Sequence, residues 1–144
     1  MSAAAGYSGT PLPKKLGFKP GQRAAFINLP ADLDWLVEAE AFGTAELSTD
    51  APNAEGFDLI HAFYTDAGRL TADLPALRDA IRPDGAVWIS WPKKAAKVAT
   101  DITEDVIRDR ALAIGLVDVK VCAVSEVWSG LKLVIPVALR EGRR

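Results

Sequence analysis

Three short stretches of the chain are almost continuously apolar. They are Arg23–Leu29, Phe57–Thr65 and Ala86–Trp91. Apolar runs without polar alternation are typical of strands in a parallel sheet whose two faces are both covered. The segment Ala45–Ser48 is a candidate for one further short strand. The pattern therefore predicts a sheet whose central strands are buried.

Segments with helical signals separate these strands. Ala31–Phe42 repeats apolar residues at helical spacing, which predicts an α-helix between the first two strands. Asp66 is suited to cap a second helix that runs to about Ile81, and Pro75 is expected to interrupt it.

The middle of the chain adds a turn, a loop and a third helix. Arg82–Gly85 has the composition of a turn, and Pro92–Thr100 that of a basic loop. Asp101 and Glu104 have the spacing of a capping box, which predicts a helix to about Ile114.

The last third of the chain alternates apolar and other residues with a period of two. Val117–Cys122 and Leu131–Val137 both show this pattern, and Trp128–Lys132 is predicted to join the two strands. Such segments predict an antiparallel hairpin. The whole order predicts an α/β layered domain with a mainly parallel sheet and a C-terminal antiparallel hairpin.

The length of 144 residues leaves room for one domain. Residues 1–22 contain four Gly and three Pro, which predicts an irregular arm with a mobile tip. Pro13 is expected to open a short helical turn over Leu12–Leu16. Residues 23–144 are then predicted to form the single α/β domain.

Charge and composition exclude several classes of protein. The net charge of −2 argues against a dedicated nucleic-acid binder, although local basic clusters remain candidates for an anionic small ligand. One Cys and one His exclude a disulfide framework and a Cys- or His-built zinc site. The sequence lacks the apolar stretches of a signal peptide or membrane span, so a cytoplasmic location away from membranes is expected.

Three local phrases accompany this element order. They are Lys19–Arg23 (KPGQR), Phe57–Ile60 (FDLI) and Arg82–Ile89 (RPDGAVWI). With them the chain resembles the class I S-adenosylmethionine-dependent methyltransferases. The resemblance implies a Rossmann-like three-layer sandwich, but a fold supplies no activity by itself.

Four further phrases resemble a family of short bacterial proteins of unknown function. They are Gly6–Leu12 (GYSGTPL), Trp91–Lys93 (WPK), Val117–Val124 (VDVKVCAV) and Trp128–Lys132 (WSGLK). This resemblance covers nearly the whole chain and implies no established activity.

The chain departs from an active methyltransferase where the cofactor would bind. Such enzymes follow the first strand with a glycine-rich turn, whereas Asn28–Asp32 contains no glycine and Pro30 lacks an N–H donor. The expected ribose-binding acid has only Glu46 and Asp50 as candidates. The link Thr49–Gly56 is too short for a crossover helix and another strand together. We therefore expect that the chain does not bind S-adenosylmethionine in the usual way.

A ligand crevice is expected outside the carboxyl ends of the parallel strands. The residues predicted to converge there are Asn28, Thr65, Trp91, Lys93 and Lys94. An aromatic face beside ammonium groups suits a planar anionic ligand such as a nucleotide. The alternative is that the lysines form a solvated loop and that Trp91 belongs to the core.

No catalytic or metal-binding residues are predicted. Asp58, His61 and Ser90 are candidates for a hydrolytic triad. However, the chain has no G-x-S-x-G elbow, and Ser90 lies within a predicted strand. Cys122 alternates with valines and is most simply a small apolar residue.

Trp128 and Lys132 are predicted to form a partner surface on the hairpin, through which a homodimer is also possible.

The function favoured by the sequence is a non-catalytic, methyltransferase-like domain that binds a partner protein or a small anionic ligand without a cofactor. The alternative is a minimal S-adenosylmethionine-dependent methyltransferase with an atypical cofactor site.

Overall fold

Six strands form one mixed sheet in the structure, a computed structural model that describes residues 10–140. The expected mobile tip of the arm and the phrase that begins at Gly6 lie largely outside this range. The strands are β1 (Arg23–Ile27), β2 (Thr44–Ser48), β3 (Phe57–Phe63), β4 (Ile81–Pro92), β5 (Val117–Ala123) and β6 (Trp128–Val134). Their spatial order is β2-β1-β3-β4-β6-β5.

Strand direction divides the sheet into two parts. The neighbours β2, β1, β3 and β4 run parallel to one another. The hairpin strand β6 is antiparallel to both β4 and β5. This arrangement confirms the predicted α/β fold with a mainly parallel sheet and a C-terminal antiparallel hairpin. Within residues 10–140, β2 and β5 are the edge strands of the sheet. A homodimer through the hairpin stays a prediction.

Three α-helices and three 3₁₀ helices accompany the sheet within residues 10–140. The α-helices are α1 (Leu12–Lys15), α2 (Ala67–Ala80) and α3 (Glu104–Ala113), and the 3₁₀ helices are Ala31–Glu38, Lys94–Ala96 and Val137–Leu139. The expected interruption of α2 is wrong, because the helix runs continuously through Pro75. Leu70, Leu74 and Leu77 are buried at helical spacing and hold this helix against the sheet.

The predicted α-helix over Ala31–Phe42 is wrong in type and length. The structure forms a 3₁₀ helix that ends at Glu38. Its buried residues are Leu33 and Leu36, which are three positions apart and therefore share one side of a 3₁₀ helix. Ala41, which the α-helical spacing would bury, is exposed.

The predicted capping box of α3 is also wrong. The cap is Thr103, whose hydroxyl accepts a hydrogen bond from the Val106 amide at 3.2 Å. Asp101 instead accepts from the Ala67 amide at 2.7 Å, at the beginning of α2. The aspartate therefore links two helices rather than capping its own.

The predicted turn Arg82–Gly85 lies inside β4. Phe57 is opposite Ile81 while Leu59 is opposite Ala86, so β4 carries extra residues between these pairs. A Cβ at Gly85 would lie 2.9 Å from the Phe57 carbonyl oxygen, so only glycine fits there.

The segment Trp128–Lys132 was predicted to join the hairpin strands, and this prediction is wrong because the segment forms part of β6. The connection is instead residues 124–127. Gly130 lies opposite Ser90 of β4. A Cβ at Gly130 would lie 3.1 Å from the Ser90 hydroxyl and 3.1 Å from the Trp88 ring, so the glycine permits close packing.

The core consists of one apolar layer on each face of the sheet. One layer contains α2 and α3 and includes Leu74, Ile89 and Ile107. The other contains the end of the arm and the first 3₁₀ helix, and it includes Leu16 and Trp88. These layers confirm the predicted three-layer sandwich.

The end of the arm is anchored to the sheet. Leu16 is fully buried, and its carbonyl oxygen accepts a hydrogen bond of 2.9 Å from the Trp88 indole nitrogen. Phe18 packs edge-on against Phe26 of β1 and against Phe42. Residues 12–18 therefore close one face of the sheet.

Candidate functional site

A crevice of about 470 Å³ opens at the carboxyl ends of β1 and β3. The chain leaves β1 towards β2 on one side, whereas β3 leads to β4 on the other side. Such a reversal of strand order is where open α/β sheets bind ligands. The crevice is lined by Asn28, Phe63, Tyr64, Thr65, Asp66, Arg69 and Trp128.

Asn28 follows β1 in the left-handed backbone conformation, with φ of 58°. Asparagine adopts this conformation more readily than most residues with a side chain. Its backbone amide donates to the Ser48 carbonyl oxygen at 2.9 Å, and its Nδ2 donates to the Phe63 carbonyl oxygen at 3.2 Å. Asn28 thus ties the end of β1 to the ends of both neighbouring strands.

Aromatic rings form one wall of the crevice. The Trp128 ring contacts Phe63 edge-on, with 5.2 Å between the ring centroids. Phe63 in turn stacks on His61 at 4.4 Å. Trp128 is held in place because its backbone pairs with Pro92 at the end of β4. The wall is consequently supported by three strands.

Arg69 of α2 connects several polar groups at the rim. Its Nη2 donates to the Thr49 carbonyl oxygen at 2.6 Å and lies 3.6 Å from the Asp50 carboxylate. Its Nε donates to Asp73 at 3.3 Å, and the Tyr64 hydroxyl donates to the same carboxylate oxygen at 2.6 Å. The guanidinium is therefore already engaged with the protein.

Burial raises the pKa of Tyr64 well above its ordinary value, and the hydrogen bond to Asp73 raises it further. The phenol consequently stays protonated at neutral pH and acts as a hydrogen-bond donor. It lacks the pKa near neutrality that a general base requires.

Carboxylates occupy the beginning of α2 beside the crevice. Asp66 accepts from the Arg69 amide at 2.8 Å, and Asp101 accepts from the Ala67 amide at 2.7 Å. Thr100 donates its hydroxyl to the Thr65 carbonyl oxygen at 2.7 Å. The positive end of the helix dipole is therefore already neutralised by protein carboxylates.

The predicted ligand residues occupy three different regions. Asn28 and Thr65 line the crevice. Trp91 is only 8% exposed and belongs to the core layer formed with α2 and α3. Lys93 and Lys94 lie in the loop after β4 and are not part of the crevice lining. The structure thus brings together two of these five residues.

Sequence reasoning did not place Tyr64, Arg69 and Trp128 in the crevice. The sequence instead predicts Trp128 on a partner surface, and that role stays a prediction. For Arg69 the available signal was its position in the first turn of α2, three residues after the capping Asp66. That spacing brings it to the end of the preceding strand.

A sequence model of a family described as "Protein of unknown function (DUF3052)" matches residues 14–137. The chain belongs to the DUF3052 family. No curated protein sequence matches this DUF3052 chain significantly.

Solved methyltransferase structures share the fold of the DUF3052 chain. A SAM dependent methyltransferase from Aquifex aeolicus has a TM-score of 0.67 at 13% identity, and the match covers 85% of this chain and 86% of that one. Magnesium protoporphyrin IX methyltransferase (ChlM) from Synechocystis PCC 6803 with bound SAM gives 0.61 at 16% identity, covering 85% and 74%. The B. subtilis M1A22 tRNA methyltransferase TrmK gives 0.58 at 11% identity, covering 85% and 64%. These low identities establish a methyltransferase-like fold and nothing finer.

Two of the three residues considered for a hydrolytic triad, His61 and Ser90, are in contact in the DUF3052 chain. His61 Nε2 lies 2.7 Å from the Ser90 hydroxyl, and both side chains are completely buried. Asp58 instead accepts a hydrogen bond from the Arg23 amide at 2.8 Å, and His61 Nδ1 has no hydrogen-bond partner among residues 10–140. Burial lowers the pKa of His61 to about 3. The pair is sealed in the core, where no substrate can reach it.

The remaining candidate for chemistry is Cys122. Burial raises the pKa of its thiol, which opposes formation of a reactive thiolate. Within residues 10–140, no three His, Cys, Asp or Glu side chains lie together as a metal site requires. No helix in this same range is both long and apolar enough to cross a bilayer.

Proposed function

We propose that this DUF3052 protein is a non-catalytic binding module whose crevice holds a small planar molecule. The observation that carries the proposal is the hydrogen bond from the Asn28 side chain to the Phe63 carbonyl oxygen. It places a side chain at the end of β1, where a cofactor-binding enzyme of this fold keeps a glycine-rich turn.

The surrounding residues do not fit S-adenosylmethionine in the usual way. The turn after β1 supplies no glycine, and Pro30 lacks an N–H donor. Asp50 follows β2 but its carboxylate lies 3.6 Å from Arg69, while Glu46 is within the strand and lies 3.8 Å from Arg23. Both candidate ribose ligands are therefore paired with arginines.

The short connection from β2 to β3 supports the same conclusion. Residues 49–56 form neither a helix nor a strand. Because β2 is an edge strand, no further strand from residues 10–140 covers this side of the crevice. A cofactor would thus have less protein around it than in a longer domain.

The lining favours a flat ligand with little net charge. Phe63 and Tyr64 line the crevice but are at most 3% exposed, so the half-buried Trp128 supplies most of the aromatic surface, whereas Asn28 and Thr65 supply polar groups. The lining also includes one carboxylate and one guanidinium, Asp66 and Arg69, whose formal charges cancel. The volume lies within the range of small-molecule sites.

Isothermal titration with S-adenosylmethionine and S-adenosylhomocysteine tests the non-catalytic part of the proposal. The expected result is no measurable binding at micromolar cofactor. Micromolar binding of either compound would overturn this part and favour the minimal methyltransferase.

Thermal shift against a panel of purines, pyrimidines and other planar heterocycles tests the crevice. At least one compound is expected to raise the Tm of the wild type, and Trp128→Leu should remove this shift. The matched control is Trp35→Leu, because Trp35 is 45% exposed and lies on the 3₁₀ helix outside the crevice. The proposed site would be contradicted if no compound raises the Tm of the wild type, or if both variants lose the Tm shift equally.

A further inference from the structure

Three lysines from two distant parts of the chain lie close enough for their charges to interact. Lys19 comes from the arm, and Lys120 and Lys132 come from the hairpin; we call these three residues the lysine cluster. Lys120 and Lys132 are directly opposite each other in the β5–β6 register. Lys120 Nζ also donates to the Lys15 carbonyl oxygen at 3.0 Å, which connects the hairpin to the end of α1.

The charges of the lysine cluster act on one another. Partial burial lowers the pKa of Lys132, and the charges of Lys120 and Lys19 lower it further. Like charges directly opposite on neighbouring strands destabilise a sheet. The fold therefore holds these ammonium groups together at a cost in stability.

No carboxylate within the described residues offsets this repulsion. None of the ion pairs formed between residues 10 and 140 includes Lys19, Lys120 or Lys132. Asp118, the acid on β5, is instead paired with Arg108 at 3.1 Å. The positive charge is available to an external anion.

We propose that the lysine cluster binds a compact phosphate-bearing anion, such as a polyphosphate chain. Lysine ammonium groups bind phosphate as point charges, and several of them close together favour a ligand with several negative charges. The net charge of −2 does not favour a long nucleic-acid backbone.

This site is separate from the crevice. Lys132 follows Trp128 by four residues along β6, which corresponds to about 13 Å in a strand. The proposal therefore does not depend on the ligand of the crevice.

Titration with inorganic tripolyphosphate, followed by calorimetry and by thermal unfolding, tests the proposal. The wild type is expected to bind the anion and to unfold at a higher Tm in its presence. Lys120→Gln and Lys132→Gln should each weaken binding by about tenfold. Lys94→Gln is the matched control, because Lys94 is an exposed lysine in the loop after β4 and should leave binding unchanged.

The sign of the Tm change without anion gives a second readout. Lys132→Gln should unfold at a higher Tm than the wild type in anion-free buffer, because the repulsion from Lys120 is removed. A lysine with a purely structural role would give a lower Tm on substitution. The combination of higher intrinsic stability and weaker anion binding therefore identifies a binding residue.

Titrations with other anions identify which kind of molecule carries the phosphate. Equal binding of ATP and tripolyphosphate would support recognition of the phosphate chain alone, and tighter binding of ATP would support a nucleotide. The proposal is overturned if tripolyphosphate leaves the wild type unchanged, or if Lys94→Gln weakens binding as much as Lys132→Gln. Tighter binding of an oligoglutamate peptide or a DNA oligonucleotide than of tripolyphosphate would also overturn it.

Discussion

His61 shows how burial decides the role of a titratable residue. Its ring is completely buried between Phe63 and Trp88, and within the described part of the chain only the Ser90 hydroxyl is a hydrogen-bond partner. A charged imidazole would lose its hydration there, and for this reason the pKa falls to about 3. The histidine therefore contributes to stability and its dependence on pH.

The unfolding free energy should fall as the pH is lowered from about 6.5 towards 3. In this window the unfolded chain binds a proton at His61 whereas the folded chain does not, so acid favours unfolding. The stability advantage of the wild type over His61→Gln should shrink by about 1.4 kcal/mol per pH unit. Urea unfolding at several pH values measures this difference, in which the carboxylates common to both proteins cancel. A constant difference would contradict the buried neutral state.

The elements with continuous apolar patterns were the ones that the sequence predicted well. The strands around Phe26, Ile60 and Ile89 are buried on both faces, so their composition alone indicates a central parallel sheet. The helix ends were predicted less well, because a cap depends on which backbone amide a side chain reaches after folding. Asp101 reaches α2, and Thr103 caps α3.

Thr103→Ala should lower the unfolding free energy by about 1 kcal/mol, because the Val106 amide at the start of α3 loses its acceptor. Thr103→Ser retains the hydroxyl and should restore most of this stability. Chemical denaturation of the two variants measures the effect. Equal destabilisation by alanine and serine would show that the hydroxyl is not the source of the cap's contribution.

The candidate site was predicted only in part, because its composition depends on the direction of strand side chains. Asn28 and Thr65 follow strands whose order in the sheet could be anticipated, and both line the crevice. Trp91 points towards the layer of α2 and α3 and is buried there. Trp128 reaches the crevice only because β6 pairs with β4, which requires the antiparallel register. Pairing of this kind is not readable from local composition.

At the scale of the whole molecule, the end of the arm is part of the core. Leu16→Ala should lower the unfolding free energy by about 2–5 kcal/mol, because truncation of this fully buried side chain leaves a cavity in the core. Leu47→Ala is the matched control, because Leu47 is 62% exposed and should change stability little. Thermal and urea unfolding compare the two variants. Similar stability of the two variants would contradict the role of Leu16 in the core.

The hydrogen bond between Trp88 and Leu16 also gives the molecule an internal spectroscopic reporter. Trp88 is completely buried, whereas Trp35 is 45% exposed, so the two indoles differ in their contact with water. Detachment of the arm would break the bond from the Trp88 indole nitrogen and admit water to that ring. A red shift in Trp88 emission would thus register loss of the arm before the sheet itself unfolds.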